Sequence, residues 1–499
     1  MNAPEQLPAP STSPVSRSNQ IAESLVLAAL LAAPALVCMH AKAVADPDIW
    51  LHMRTGQWIL QHHAIPRADS FTQFGAGRPW ADYSWLFDLL VFKCFQRLGL
   101  TGLLLFATGM ILAITTAIYH LIRRLQSDFS LSVLLTLVAS LCLARVFSPR
   151  SWLFSILFFV LQLDILMNAR KTGRHRQLLW LPVIYALWAN LHIQFFDGLV
   201  VLGIAAGESI LSHWWTSART RLSAAWLGGT CIACILATLA NPYGWNIYKI
   251  GFHAASQPAI FSLIGEYRSL PFRSPADFCM LFLALAAACA LGWSRRLPLF
   301  EITLLAFAAI TSFRSERDMW IMIISASAIL AQEIPGRARG RRPLAVFTVP
   351  VTAAAIAIML FLGIRAMHLN NAQLRTVLAE SMPVNAVKAI REQGYQGPLY
   401  NTFSWGDYLI WDLRMPVSID GRTDFNGDPR LERFYATWNA QPDWASDPDL
   451  QSAGLVIGPV TAPLTQLLRI DPRFQLAYQD KVAVVFTARR LNEQPAIQK

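Results

Sequence analysis

The segment DPDIWLHMRTGQWI opens on Asp46, Pro47 and Asp48, and Asp48, His52 and Thr55 recur at i, i+4 and i+7. That spacing sets a carboxylate, an imidazole and a hydroxyl on one helical face. A carboxylate one turn from an imidazole suits a base that takes a proton from a sugar or lipid hydroxyl. A purely local explanation competes: Asp at a helix N-cap, Pro at the first position and Asp at the second. It accounts for Asp46 better than for Asp48. Further on, GRPWADYSWLFDLL carries Asp82 and Asp88 on either side of Trp85. A carboxylate near a hydrocarbon boundary is costly unless a wet cavity solvates it. Asp82 is the better candidate for chemistry, and Asp88 fits the wet side of an amphipathic helix.

Several basic residues add anion-binding chemistry: Arg145 and Arg150 in ARVFSPRSW, Arg268 and Arg273, and Arg314 and Arg317 in SFRSERDMW. Arginine grips phosphate in bidentate fashion, while snorkelling to headgroups is the alternative use. Glu316 and Asp318 share the turn with Arg314 and Arg317, so mutual pairing competes there. His192 in WANLHIQFFDG reads as a buried histidine satisfied by a neighbouring helix, and Asp164 in LQLDIL as helix packing. SIDGRTDFNGD places Asp420, Arg422, Asp424 and Asp428 after an expected strand. Such a loop binds ligands at a sheet edge or simply turns the chain. No Walker A, HExxH, GxSxG or Rossmann glycine pattern occurs, which argues against a nucleotide-driven pump.

The elements that position these residues follow from composition. Of 499 residues, 54% are hydrophobic and only 15% charged, against about 25% charged in soluble domains. A bilayer must solvate much of the chain, which excludes a soluble enzyme, a disordered protein and a disulfide scaffold. The net charge of +11 lies in short clusters between apolar runs, the pattern of a topology signal rather than of nucleic-acid binding. Apolar runs at about 21–41, 99–120, 129–145, 150–168, 178–192, 196–211, 222–240, 277–293, 298–312, 318–333 and 343–363 predict an α-helical polytopic membrane protein with about eleven transmembrane helices. Cys231 and Cys234 form a CxxC inside one run, where small polarizable side chains serve helix packing.

Clustered Arg123/Arg124, Arg170/Lys171/Arg174/Arg176, Arg219/Arg221, Arg295/Arg296 and Arg337/Arg339/Arg341/Arg342 mark the cytoplasmic loops. Residues 1–20, rich in Pro and Ser, are then a disordered cytoplasmic N-terminus. Residues 21–365 form the bundle, with long outer loops at 44–84 and 241–276. Residues 370–490 form a small extracytoplasmic α/β domain. Residues 17–45 also resemble a signal peptide ending in AVA, but the apolar run exceeds a usual signal core, so an uncleaved span is expected. Within the α/β domain, strands are expected at PLYNT, PVSID, GLVIGP and the hairpin FQLAYQDKVAVVFTA. Aromatic residues of WGDYLIWDL exceed the needs of one short helix, and the domain is expected to sit over the outer cavity mouth.

The string DPDIWLHMRTGQWILQHHAIPRADSFT…GRPWADYSWLFDLLVF is similar to the first outer loop of bacterial membrane proteins of the GT-C glycosyltransferase superfamily. RSWLFSILFFVLQLDIL, WANLHIQFFDGLVVLGIAAGE, NPYGWNIY with a later EY, RSERDMWIMII and WGDYLIWDL…PVSIDGRTDF extend that resemblance along the chain. The resemblance implies transfer of a sugar from a polyprenyl-phosphate-linked donor to a glycan, lipid or protein acceptor at the outer face of the inner membrane. It places Asp48 as catalytic base and Asp82 as the second loop acid, with Asp46, His52, Arg150, His192, Glu266 (of the EY pair), Arg314 and Arg317 as substrate-binding candidates. Trp50-Leu51 and Ile193-Gln194 depart from the pattern, which has a paired Trp and a Gly after the His. The sequence names no metal ligand cluster; a divalent ion is possible in GT-C enzymes but not required here. The competing function classes are a non-catalytic protein that presents a lipid-linked glycan and a transporter.

Overall fold

A computed structural model describes residues 17–39, 44–211, 221–294, 298–336 and 348–489. Every expected apolar run is largely helical over its described residues. Six of these helices, Ser18–Cys38, Leu100–Leu125, Phe129–Val146, Trp152–Thr172, Pro275–Trp293 and Val349–Ala366, are long and apolar enough to cross a membrane. The remaining five, such as Leu181–Leu191, Ala224–Thr238 and Met319–Glu333, are shorter. Fifteen residues rise only about 22 Å, less than the ~30 Å of hydrocarbon. Met319–Glu333 is buried on every side from Met319 to Ala331, the signature of a helix at the centre of a bundle. The N-terminal stretch expected to be disordered is partly helical, since Arg17–Cys38 begins inside it; residues 1–16 lie outside the described residues. So do Arg219, Arg295, Arg296 and the cluster from Arg337 to Arg342.

Several charges inside the bundle are paired. Arg170, expected as a cytoplasmic topology charge, is instead buried and joined to Glu208, with Glu301 at 3.6 Å and the Phe300 ring centroid at 4.0 Å. Asp164 likewise has a partner that the sequence did not point to, Arg124 at 3.0 Å. Such pairs are retained because an unpaired charge in this medium is expensive. Cys142 and Cys279 are disulfide-linked across two spans, whereas Cys231 and Cys234 are free thiols.

The C-terminal part is a four-stranded sheet in the order β1-β2-β4-β3. β1 (Leu399–Asn401) runs parallel to β2 (Leu455–Pro459); β3 (Phe474–Gln479) and β4 (Ala483–Ala488) form an antiparallel hairpin that joins through β4. The β-branched runs of β2 and β4 are buried, as sheet-core strands require. Tyr400 stacks on Phe434 and Trp438 to build the core. PVSID is not the strand expected of it. Asn401 intercepts its backbone instead, accepting from Ser418 N at 3.0 Å and donating to Ile419 O at 2.8 Å. Only Val417 keeps a bridge, to Thr72 of the first long loop.

That bridge is one of several ties between the domain and the bundle. Gln73 Nε2 donates to Leu399 O and Pro416 O at 3.1 and 3.0 Å. Tyr408 meets Trp50 edge-on at 5.0 Å, and Trp411 packs on Phe92 and Phe95. The surplus aromatic residues of WGDYLIWDL thus face helices Ile49–His62 and Trp85–Leu98. Those two helices touch closely at Gly56, where a Cβ would lie 2.2 Å from Asp88 O. A side chain there would wedge His52 away from Asp88.

Candidate active site

A cavity of about 230 Å³ lies where the first long loop, the second long loop and the C-terminal domain meet the bundle. Asp48, His52 and Thr55 all line it, so the predicted polar stripe faces one space. The helix begins at Ile49, two residues later than the capping pattern implied. Asp46 takes the local role, accepting from Asp48 N at 3.1 Å. The Asp48 carboxylate makes no cap bond and turns to Arg150 at 2.7 Å. Its side chain is 37% exposed to the cavity, within reach of a substrate.

Arg150 organises the acidic wall. Its Nε donates to both Asp46 oxygens at 2.9 and 2.7 Å, and its Nη1 to Asp48 and to Glu266 at 2.7 and 2.8 Å. Three carboxylates converge on this one cation, and Glu266 is shared with Arg317 at 3.8 Å. Burial drives the Asp48 carboxyl up to about 6, with Arg150 pulling it back and Asp46 and Glu266 adding to the rise. The guanidinium already fills the centre on which these carboxylates converge, so they do not fit a resident divalent ion. Among the described residues no group of three His, Cys, Asp or Glu side chains is arranged for one.

Arg317 lines the cavity beside this cluster. It hydrogen-bonds the Tyr267 hydroxyl, lies 3.2 Å from His192 Nε2, and leaves its buried Nε without a partner. Both guanidiniums lie over the Trp152 ring, at 4.6 and 5.0 Å from the centroid. His192 is a satisfied histidine, with Nδ1 on Ser155 Oγ at 2.8 Å, and it still lines the cavity. Of the acids near Arg317, Glu316 pairs with Arg145 and Asp318 with Gln194, while Glu266 stays within 3.8 Å of Arg317 Nη1. Two substrate-binding candidates lie outside the cavity lining, Asp46, which Arg150 holds, and Arg314. The Arg314 guanidinium sits over Phe261 at 4.3 Å.

Asp82 is buried beside Asp88, and one of its oxygens has no partner. Burial first, then the neighbouring carboxylate, pushes the Asp82 carboxyl well above the usual range. Asp88 is not a solvated helix residue as its sequence context implied. It is buried and bonds His52 Nδ1 at 2.7 Å. Sequence reasoning also missed Asp407, which lines the cavity from the C-terminal domain and accepts from Gly421 N at 2.8 Å. Its signal was an acid set among the apolar residues of WGDYLIW. Asp424 and Arg422, from the loop read mainly as a turn, line the same space.

No protein-family model and no characterised protein sequence matches this chain. Solved structures similar to this chain include two of one protein. One is ArnT from Cupriavidus metallidurans bound to undecaprenyl phosphate, 16% identical, covering 92% of this chain and 97% of that one at a TM-score of 0.49. The other is ArnT from the same organism in the apo state, 15% identical, covering 94% and 98% at a TM-score of 0.50. At that identity the likeness shows the fold. The chain is a multi-pass helical membrane protein with the fold of that apo ArnT structure and a small C-terminal sheet.

Proposed function

We propose that this chain is a bacterial inner-membrane glycosyltransferase that moves a sugar from a polyprenyl-phosphate-linked donor to an acceptor hydroxyl. The observation that carries this reading is a cavity lined both by a reachable carboxylate, Asp48, and by a buried and incompletely bonded guanidinium, Arg317. The undecaprenyl phosphate named for the fold relative belongs to the same donor class. Asp48 takes the acceptor's hydroxyl proton as that oxygen bonds to the sugar's anomeric carbon. The bond from that carbon to the donor phosphate oxygen breaks, and Arg317 holds the departing phosphate. The His52–Asp88 pair fixes the imidazole beside Asp48, and Asp82 lies buried beside Asp88 behind it.

The base must be ionised to act. With the Asp48 carboxyl at about 6, turnover is expected to be full above that pH and to fall about tenfold per unit below it. A rate–pH profile in proteoliposomes checks this, and a flat profile down to pH 5 removes Asp48 as the base. Orientation is part of the proposal, with the cavity and residues 370–490 outside. In a cysteine-free background, Ser381→Cys should react with an impermeant maleimide added to intact cells, and Ser294→Cys should not. The reverse pattern inverts every site assignment.

A further inference from the structure

Beside the cavity lies a second space of about 480 Å³ between the first long loop, helix Asn246–Ala255 and the Asp424–Phe425 turn. The two spaces share Trp80, Ala81 and Asp424 as a common wall. Arg67 and Arg78 line the groove from one hairpin, which is closed by the Ala68–Pro79 bridge and by Trp80 N donating to Arg67 O at 3.0 Å. Arg78 is held over the Phe74 and Phe425 rings at 5.5 and 5.1 Å. Among the described residues neither arginine pairs with a carboxylate, whereas Arg150 and Arg422 across the wall are each bound to more than one.

Helix Asn246–Ala255 gives the groove its setting. Asn246, Ile250 and His253, at i, i+4 and i+7, face the groove. Trp245, just before the helix, and Phe252 are 62% and 77% exposed, and Lys249 between them is also exposed. An exposed aromatic and basic stripe is what a helix resting at the headgroup layer presents. The groove therefore opens at lipid level, carries unpaired guanidiniums and ends at the wall of the candidate active site.

We infer that this groove is the port for an amphiphilic acceptor, whose phosphate Arg67 and Arg78 bind while its hydroxyl passes Trp80 and Asp424 to reach Asp48. The inference rests on the glycosyltransferase reading for the word acceptor, but its binding step does not. The test uses the full chain in phosphatidylcholine nanodiscs and calorimetric titration with dihexanoyl phosphatidic acid, dihexanoyl phosphatidylcholine and inorganic phosphate. All titrations are made in an Arg317→Gln background, which removes the phosphate-facing guanidinium of the inner cavity. Phosphatidic acid is expected to bind, and Arg67→Gln/Arg78→Gln to weaken it by about tenfold or more, as loss of two charge-assisted contacts requires. Phosphatidylcholine should not bind measurably. Equal affinity in the double variant, or no binding of phosphatidic acid, overturns the port. Inorganic phosphate binding as tightly as phosphatidic acid overturns the lipid occupant. If these results hold while Asp48→Asn leaves transfer intact, the Asp48 assignment fails and the anion groove stands. Given transfer, the double variant with Arg317 intact should raise the acceptor KM and leave kcat unchanged.

Discussion

Asp48→Asn is expected to lower transfer from a polyprenyl-phosphate-linked sugar by about 10²–10⁴-fold in kcat, the usual contribution of a positioned general base. The corresponding barrier is about 3–5 kcal/mol. Asparagine keeps the shape of the side chain and an oxygen that can still accept from Arg150, so the loss is one of basicity. Arg150 retains Asp46 and Glu266 as partners, which guards the wall against collapse. Donor affinity should therefore survive, and single-turnover kinetics in proteoliposomes separate the two quantities. Asp46→Asn offers the contrast. Asp46 is bound by Arg150 Nε through both oxygens and also accepts from Asp48 N, so its loss should shift geometry and KM more than the pH limb. Full activity in Asp48→Asn would transfer the base role to His52, whose Nδ1 is already held by Asp88.

Much of this arrangement was legible in the residues themselves. The 3.6-residue period put Asp48, His52 and Thr55 on one face, and low charge with long apolar runs implied the bundle. The GT-C resemblance implied the fold that the solved structures then showed. What escaped was long-range. Asp88 looked like a solvated helix residue because nothing local reveals that Gly56 lets its helix press against His52. Arg170 looked like a topology charge because its partners Glu208 and Glu301 lie in other helices. PVSID has the composition of a strand, and a single side-chain amide, Asn401, displaced the ladder it would have joined. Arg314 and Arg317 stand three residues apart in sequence, yet a short 3-10 turn at Glu316–Asp318 sends one to Phe261 and the other into the cavity.

The second large effect is expected at Arg422, where the first long loop and the C-terminal domain are clamped. Its Nη2 donates to Asp69 Oδ1 at 2.6 Å and to Asp420 Oδ2 at 2.5 Å, and its Nε to Asp420 Oδ2 at 3.0 Å. The guanidinium is buried, with Trp80 and Phe425 ring centroids each 4.5 Å away. Asp69 at the same time accepts from Phe71 N, Thr72 N and the Thr72 hydroxyl, so it organises the loop that carries Trp80 to the cavity. Arg422→Ala leaves two buried carboxylates without a cation, a change that costs about 3–5 kcal/mol. Because the clamp joins separate parts, the cost should appear first as undocking rather than global unfolding. Hydrogen exchange is expected to rise in residues 67–80 and 418–426 while β2 and β4 stay protected. A neutral pair, Arg422→Gln with Asp69→Asn, should recover part of the loss, because it removes one of the charges left unpaired and can keep a hydrogen bond. Unchanged exchange in Arg422→Ala would mean that Gln73 and the Trp50, Tyr408 and Trp411 rings hold the domain alone. The cavity wall formed by Asp407 and Asp424 would then be positioned by aromatic packing, with the ion pair merely filling the space behind it.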